Sequence, residues 1–324
     1  MSPSLRDPRV SPTVSVVIPA LNEEANLPLV LEGLPAVDEV VVVDGGSADD
    51  TVRIAREVRP DAVVVRQTRA GKGNALACGF AACRGDVVVT LNADGSTDPG
   101  EIPRYVDALL SGAEVAHGSR FRDGGSDLGG RRLDRLGNAV LTWIVNLLFG
   151  TSFTDIGFGY NAYWRALLPA LDLPPVEPSR GRRGRRHWGD GAEIEPLLNL
   201  RTAAQGLRVV EVASIGYPPI NGARERRRLR RALRAMRTAF LEYVRRRRFG
   251  PRPDPAGGAL PATATRVPDR TVARLRWQDL TGPEPGPAPP DRADRGPLPR
   301  HSLPLYPPPD PAWTAPSGRH AAQE

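Results

Sequence analysis

Four short valine-rich runs, at 14–18, 40–43, 62–66 and 86–91, punctuate the first third of the chain. Each is too short for an ordinary helix and lacks the polar alternation of a strand with one wet face. Such runs are predicted to be strands buried on both faces of a sheet. Helical patterns fill the intervals, from Glu23, from Asp50 to Val58 and over Asn74–Ala82. Strand and helix alternating in this way predict an α/β fold with a doubly wound, mostly parallel sheet. Ligands of such sheets bind outside the carboxyl ends of the strands. Asn22 is predicted to cap the first helix, and Ser47 with Asp50 to form a capping box on the second. Asp98, Pro99 and Glu101 suit the N-cap, N1 and N3 positions of a fourth.

The second half is less regular. Leu133–Phe149 is predicted to be an amphipathic helix with Leu133, Leu136, Val140, Ile144 and Leu148 on one stripe. Thr154–Trp164 reads as a loop and short strand, and Arg180–Arg186 as a solvated basic loop. A helix over Glu193–Gln205 and a strand over Arg208–Val212 follow. Arg224–Arg248 reads as a long helix with 12 arginines and an apolar stripe of Leu229, Leu233, Met236, Phe240 and Val244. Eighteen of the 34 prolines fall after residue 250, in a stretch without apolar periodicity, which is expected to be disordered. The predicted organisation is a flexible start (1–12), a catalytic domain (13–222), a basic amphipathic helix (223–249) and a proline-rich tail (250–324).

A net charge of +7 points to an anionic partner: nucleotide diphosphate, membrane surface or nucleic acid. No aromatic stacking platform accompanies the arginines, so nucleic acid is not expected. The basic helix with apolar residues suits an anionic membrane surface. No segment is apolar enough to span a bilayer, and the N-terminus has no secretory h-region. Cys78 and Cys83, the only cysteines, read as reduced core thiols of a cytoplasmic protein, peripheral on the inner membrane face. The four histidines show no metal spacing.

Lys72 is the only lysine among 44 basic residues, and it lies between Gly71 and Gly73. The segments SVVIPALNEE (15–24), VVVVDGGSADDT (40–51) and VVVTLNADGSTDP (87–99) flank it in order. Together these resemble the donor-binding half of family-2 glycosyltransferases, inverting enzymes of the GT-A fold. The likeness is strongest to polyprenyl-phosphate sugar synthases, such as the dolichyl-phosphate mannose synthases, and covers roughly 13–225.

That resemblance implies a metal-dependent hexosyltransferase using a UDP- or GDP-sugar and a polyprenyl phosphate or other membrane-associated acceptor. It makes Asp94 the carboxylate for Mg²⁺ or Mn²⁺, with Ser96 and Asn92 as further oxygen donors. Asn92 stands where relatives usually have Asp. Residues 92 and 94, two apart at a strand end, face one side. By the same likeness Pro19, Asn22, Glu23 and Asp44 lie beside base and ribose. Lys72, Arg120 and Arg131 would meet phosphate, with Arg132, Arg135 and Arg224 as further candidates. Asp155 and Glu193 stand on the acceptor side, where either would serve as general base for a hydroxyl acceptor. A lipid phosphate needs no base, being ionised already, with its second pKa near ~6. Two alternatives follow from the same residues. One is the same fold acting on a soluble sugar, polysaccharide or natural-product hydroxyl. The other is a catalytically decayed basic scaffold or nucleic-acid binder, suggested by Asn92, Gly45 and the eroded segment Asn221–Arg224.

Overall fold

The computed structural model describes residues 12–176, 187–191, 193–221 and 236–245. The four valine-rich runs form β1 (Val14–Ala20), β2 (Glu39–Asp44), β3 (Val63–Arg66) and β4 (Val87–Thr90). Between them lie α1 (Leu27–Glu32), α2 (Thr51–Val58) and α3 (Lys72–Ala82). A 3-10 turn capped by Asp98 leads into α4 (Ile102–Leu110). Then follow β5 (Val115–Ser119), β6 (Ser126–Asp127), α5 (Arg132–Phe149), β7 (Asn161–Trp164), α6 (Ile194–Ala204), β8 (Val209–Ala213) and β9 (Ile215–Gly216). Residues 236–245 are helical. Most of the predicted arginine helix, the basic loop at 180–186 and the proline-rich tail lie outside the described residues.

Seven strands form one sheet in the order β3-β2-β1-β4-β7-β5-β8. Only β7 is antiparallel, inserted between β4 and β5. The sheet is therefore doubly wound and mostly parallel, the α/β architecture expected. Successive valines explain the absence of polar alternation. Val16, Ile18, Val40, Val42, Val87 and Val89 pack against α1 and α4 on one face. Val17, Val41, Val43 and Val88 pack against α3 and α6 on the other. Each fully buried valine contributes roughly 1.5–3 kcal/mol, so the sheet tolerates no polar face. Cys78 and Cys83 are buried free thiols, and burial, with Glu39 adding, pushes the Cys83 pKa up to about 12. The Cys83 thiol is therefore no reactive thiolate. A third cluster joins Leu141, Val145 and Phe149 of α5 to Leu200 and Ala203 of α6 and to Ala239.

Three local expectations are corrected. Asn22 caps no helix, because α1 starts only at Leu27. It takes a left-handed backbone (φ 56°) and ties two loops together: its amide donates to Ser47 Oγ, and its Oδ1 accepts from Ala48 N. Ser47 and Asp50 form no capping box, since Ser47 is engaged by Asn22 and Asp50 makes no cap bond to α2. Loop-to-loop pairing has outcompeted local capping. On α5 the predicted stripe is divided, with Leu148 packed on the third cluster and Ile144 half-buried. The buried face is Leu141, Thr142, Val145 and Phe149, while Leu133, Leu136 and Val140 are exposed.

Candidate active site

The carboxyl ends of β1, β2, β4 and β5 point to one rim, as the parallel pairing requires. Lys72 is the first residue of α3, and its ammonium bridges two groups. It donates to Asn92 Oδ1 at 2.8 Å and to Glu195 of α6. Asn92 in turn donates through Nδ2 to Ser96 Oγ at 2.9 Å. Asp94 accepts from Ser96 N at 3.0 Å, its only side-chain hydrogen bond among the described residues. Lys72, Asn92, Asp94, Ser96 and Glu195 are all half-buried. The structure thus brings Lys72, Asn92, Asp94 and Ser96 together.

The glycines beside Lys72 have an internal cause. A Cβ on Gly73 would lie 1.7 Å from Gly189 O, and one on Gly71 would lie 2.0 Å from Asp190 O. Gly73 N and Asn74 N both donate to Asp190 O. Arg69 grips the fully buried Asp190 carboxylate through two bonds of 2.9 Å. The glycines therefore let the 187–191 turn close on the lysine loop, which brings the start of α6, and with it Glu195, to Lys72.

Pro19 sits beyond Val17, the last β1 residue paired with β4, so its missing N–H breaks no bond to that strand. Asp44 ends β2, is buried, and accepts from Ser47 N. Glu23 accepts from Asn26 Nδ2 at 2.6 Å. Burial raises the Glu23 pKa; the Asn26 hydrogen bond opposes this, and the charges of Asp94 and Asp49 add to it. Burial dominates that shift, and the smaller contributions of Asp94 and Asp49 place the three carboxylates near one another. Among the described residues no three acidic, histidine or cysteine side chains converge as a closed metal cage. One carboxylate with a nearby hydroxyl nevertheless fits Mg²⁺ or Mn²⁺, which take few protein oxygens and fill the rest from phosphate and water. Asn92 fits that ligand role less well, for its Oδ1 is already held by the Lys72 ammonium.

Arg120 follows β5 and is fixed by Asp155. Its Nε donates to Oδ2 at 2.7 Å and its second terminal nitrogen to Oδ1 at 3.0 Å. Its guanidinium also lies over the Phe121 and Phe158 rings. Burial alone would lower the Arg120 pKa, but the hydrogen bonds and charge of Asp155, with Asp127 and Glu195 beyond, raise it overall. Asp155 is fully buried, and its Oδ1 accepts a further bond from Gly157 N. This geometry does not suit the base role expected of Asp155: both oxygens are occupied and none faces solvent. Glu193 does not suit it either, since its carboxylate folds back onto Gly191 N. Arg131 is the exposed N-cap residue of α5, and its guanidinium makes no hydrogen bond or ion pair among the described residues.

Glu195 escaped the sequence reading. Two acids two residues apart at a helix start look alike as partners of the helix dipole. Only the turn of α6 decides that position 195, not 193, meets Lys72. A position for Cβ on Gly159 lies 2.4 Å from Glu195 Oε1, so the glycine after Phe158 clears room for this carboxylate. The Glu195 carboxylate holds the ammonium and would repel an anion brought to it. Glu195→Gln is therefore expected to tighten nucleotide binding about two- to fivefold, the scale of a half-exposed charge. Calorimetric titration with UDP or GDP checks this. Weaker binding would mean that Glu195 itself touches the donor.

The profile of Glycosyl transferase family 2 matches residues 15–168. The chain is also 34% identical over 233 residues to an uncharacterized glycosyltransferase of Mycobacterium tuberculosis, covering 71% of this chain and 95% of that relative. The chain belongs to glycosyltransferase family 2. It is 39% identical over 215 residues to polyprenol monophosphomannose synthase of Mycolicibacterium smegmatis, covering 61% of this chain and 74% of the other. Undecaprenyl-phosphate mannosyltransferase of Micrococcus luteus is 34% identical over 211 residues, with 61% and 81% covered. Among solved structures, glucosyl-3-phosphoglycerate synthase of Mycobacterium tuberculosis superposes with a TM-score of 0.56 at 26% identity, covering 72% of this chain and 80% of that one. That structure holds Mn²⁺, UDP and glucosyl-3-phosphoglycerate. The family-2 chain is a transferase of glycosyl groups with a nucleotide-sugar-binding fold.

Proposed function

We propose that this family-2 transferase moves a hexose from a UDP- or GDP-sugar to a polyprenyl phosphate, with Mg²⁺ or Mn²⁺ as cofactor. One juxtaposition supports it. An ammonium (Lys72), a half-buried carboxylate (Asp94) and a hydroxyl (Ser96) meet at the strand-end rim where such sheets bind ligands. The two mannose transferases among the relatives are named for polyprenol or undecaprenyl phosphate.

Pro19, Asn22, Glu23 and Asp44 line the base-and-ribose side in this scheme. Lys72 releases Glu195 and meets the diphosphate. Asp94 and Ser96 would hold the divalent ion, which when bound supplies Lewis-acid neutralisation of the departing diphosphate. Arg120, held rigid by Asp155, presents positive charge towards the acceptor phosphate, with Arg131 outside it. An acceptor phosphate oxygen attacks the anomeric carbon on the face opposite the diphosphate. The bond to the nucleotide breaks, and the diphosphate leaves with the electron pair. No proton has to be removed from an ionised phosphate, which agrees with Asp155 and Glu193 both being engaged.

A second function keeps the donor and changes the acceptor to a soluble molecule. The solved neighbour, with its glucosyl-3-phosphoglycerate, favours that alternative. Titration with a panel of UDP- and GDP-sugars tests the donor half. One donor should bind with Mn²⁺ present and bind at least tenfold more weakly in chelator, given roughly 1.4 kcal/mol per decade. Absence of binding to every donor would leave the decayed-scaffold alternative standing.

A further inference from the structure

Four adjacent strands carry a polar rung beside an apolar one. On the sheet face covered by α3 and α6, Val88, Tyr163, Val115 and Val209 are register partners across β4, β7, β5 and β8. The next rung on that face is Thr90, Asn161, His117 and Glu211, partners across the same four strands. All four are buried. Packing alone would be met by apolar side chains, as in the neighbouring rung. Buried polar groups are costly unless they are hydrogen-bonded, so four in a row need partners.

Those partners converge on one loop, 154–159. Thr90 Oγ1 donates to Gly159 O at 3.0 Å. Glu211 accepts from Thr154 N at 2.7 Å, Thr154 Oγ1 at 2.9 Å and Asp155 N at 3.3 Å. His117 bonds the Asp155 carbonyl through Nε2 and the Asn161 carboxamide through Nδ1. A carbonyl only accepts, so Nε2 carries a proton there. Asn161 thus steadies His117, and the other three grip the loop. The same loop shapes the charge at the rim. Asp155 Oδ2 accepts from both the amide and Nε of Arg120, and Gly159 clears room for Glu195, the partner of Lys72.

We propose that this polar rung, with His117 at its centre, positions the 154–159 loop so that Asp155 presents the Arg120 guanidinium to the acceptor. It rests on the acceptor reading above for the role of Arg120. His117 is a positioning residue: it touches neither donor nor acceptor and acts through the Asp155 backbone. A small displacement of that backbone moves the charge that meets the acceptor while leaving the donor side in place.

Two substitutions in the full chain separate the bonds of the ring. His117→Gln places an amide nitrogen near the position of Nε2 and keeps a donor for Asp155 O. His117→Asn keeps an amide near Nδ1 and loses that donor. The KM for a detergent-dispersed polyprenyl phosphate should rise about tenfold in His117→Asn and stay within about twofold of wild type in His117→Gln. UDP- or GDP-sugar affinity, measured by calorimetry, should be unchanged in both. If His117→Asn does not fold, Thr90→Val, which removes one hydroxyl at constant volume, carries the same acceptor test through Gly159. Equal effects of Gln and Asn, or an unchanged acceptor KM, would overturn the proposal.

Denaturant unfolding gives a second readout that needs no acceptor. His117→Asn should raise the unfolding constant clearly less in an Arg120→Ala background than alone, because both substitutions loosen one unit. Additive effects would overturn the rung as the element that sets Arg120, and the acceptor reading would stand. Coupled unfolding together with no transfer by wild-type protein to any polyprenyl phosphate would sink the acceptor reading and leave the rung in place.

Discussion

Asp94→Ala is expected to lower sugar transfer by roughly 10³-fold or more with the fold intact. The magnitude follows from the several kcal/mol that metal neutralisation of a leaving group supplies, at about 1.4 kcal/mol per decade of rate. The fold should survive because Asp94 is half-buried and its side chain holds only Ser96 N. Losing that one bond costs about 1 kcal/mol. Single-turnover rates with Mn²⁺, and with a chelator, check the expectation. Chelated wild-type protein should drop to the level of the variant. Retained activity in Asp94→Ala would remove this carboxylate from the metal site, and Glu23, close enough to Asp94 for their charges to interact, would become the candidate to test.

Arg120→Ala should produce the largest loss of stability among the site substitutions. It leaves the Asp155 carboxylate buried without its cation, held only by two backbone amides, that of Gly157 at Oδ1 and that of residue 120 at Oδ2. Breaking one side of a buried pair costs about 3–5 kcal/mol. Arg120 is partly open to water, with a side-chain exposure of 21%, so the lower end, about 3 kcal/mol, is expected. In a domain of this size that corresponds to roughly 6–12 °C in melting temperature. Asp155→Ala on the same background should recover much of the loss, because the stranded charge goes with it. Denaturant unfolding of the two single variants and the double variant measures the coupling. Independent, additive effects would show that the pair does not fix Arg120, and the positioning role given to Asp155 would fall.

The parallel core was legible because β1, β2 and β4 are buried on both faces, whereas β3, at the sheet edge, is only half-buried and its Val63 is exposed. Every position from Val87 to Val89 must be apolar, and a run of valines leaves no other fold much room. The antiparallel insertion of β7 was not legible, since strand direction is decided by pairing with β4 and β5, far away in sequence. Lys72 stood out through rarity. The purpose of its glycines was hidden, because the partner they accommodate is the backbone at 189–190, more than a hundred residues on. Asn22 and Ser47 have the right types for caps, and each found a partner in the other's loop instead. On α5 both apolar stripes are real helical patterns, and periodicity alone does not tell which one meets the core. The acceptor-side roles expected of Asp155 and Glu193 came from residue type and family likeness alone. Their hydrogen bonds, to Arg120 and to Gly191, exist only in the folded chain.

The most direct measurement is product analysis. Purified protein is incubated with Mn²⁺, a radiolabelled UDP- or GDP-hexose and a polyprenyl phosphate, and the organic phase is chromatographed. The account predicts a metal-dependent lipid product that mild acid cleaves back to free hexose, as expected of a glycosyl phosphate. It also predicts that Asp94→Ala and chelator each abolish that product. Transfer only to soluble hydroxyl acceptors, or a lipid product formed at full rate in chelator, would contradict it.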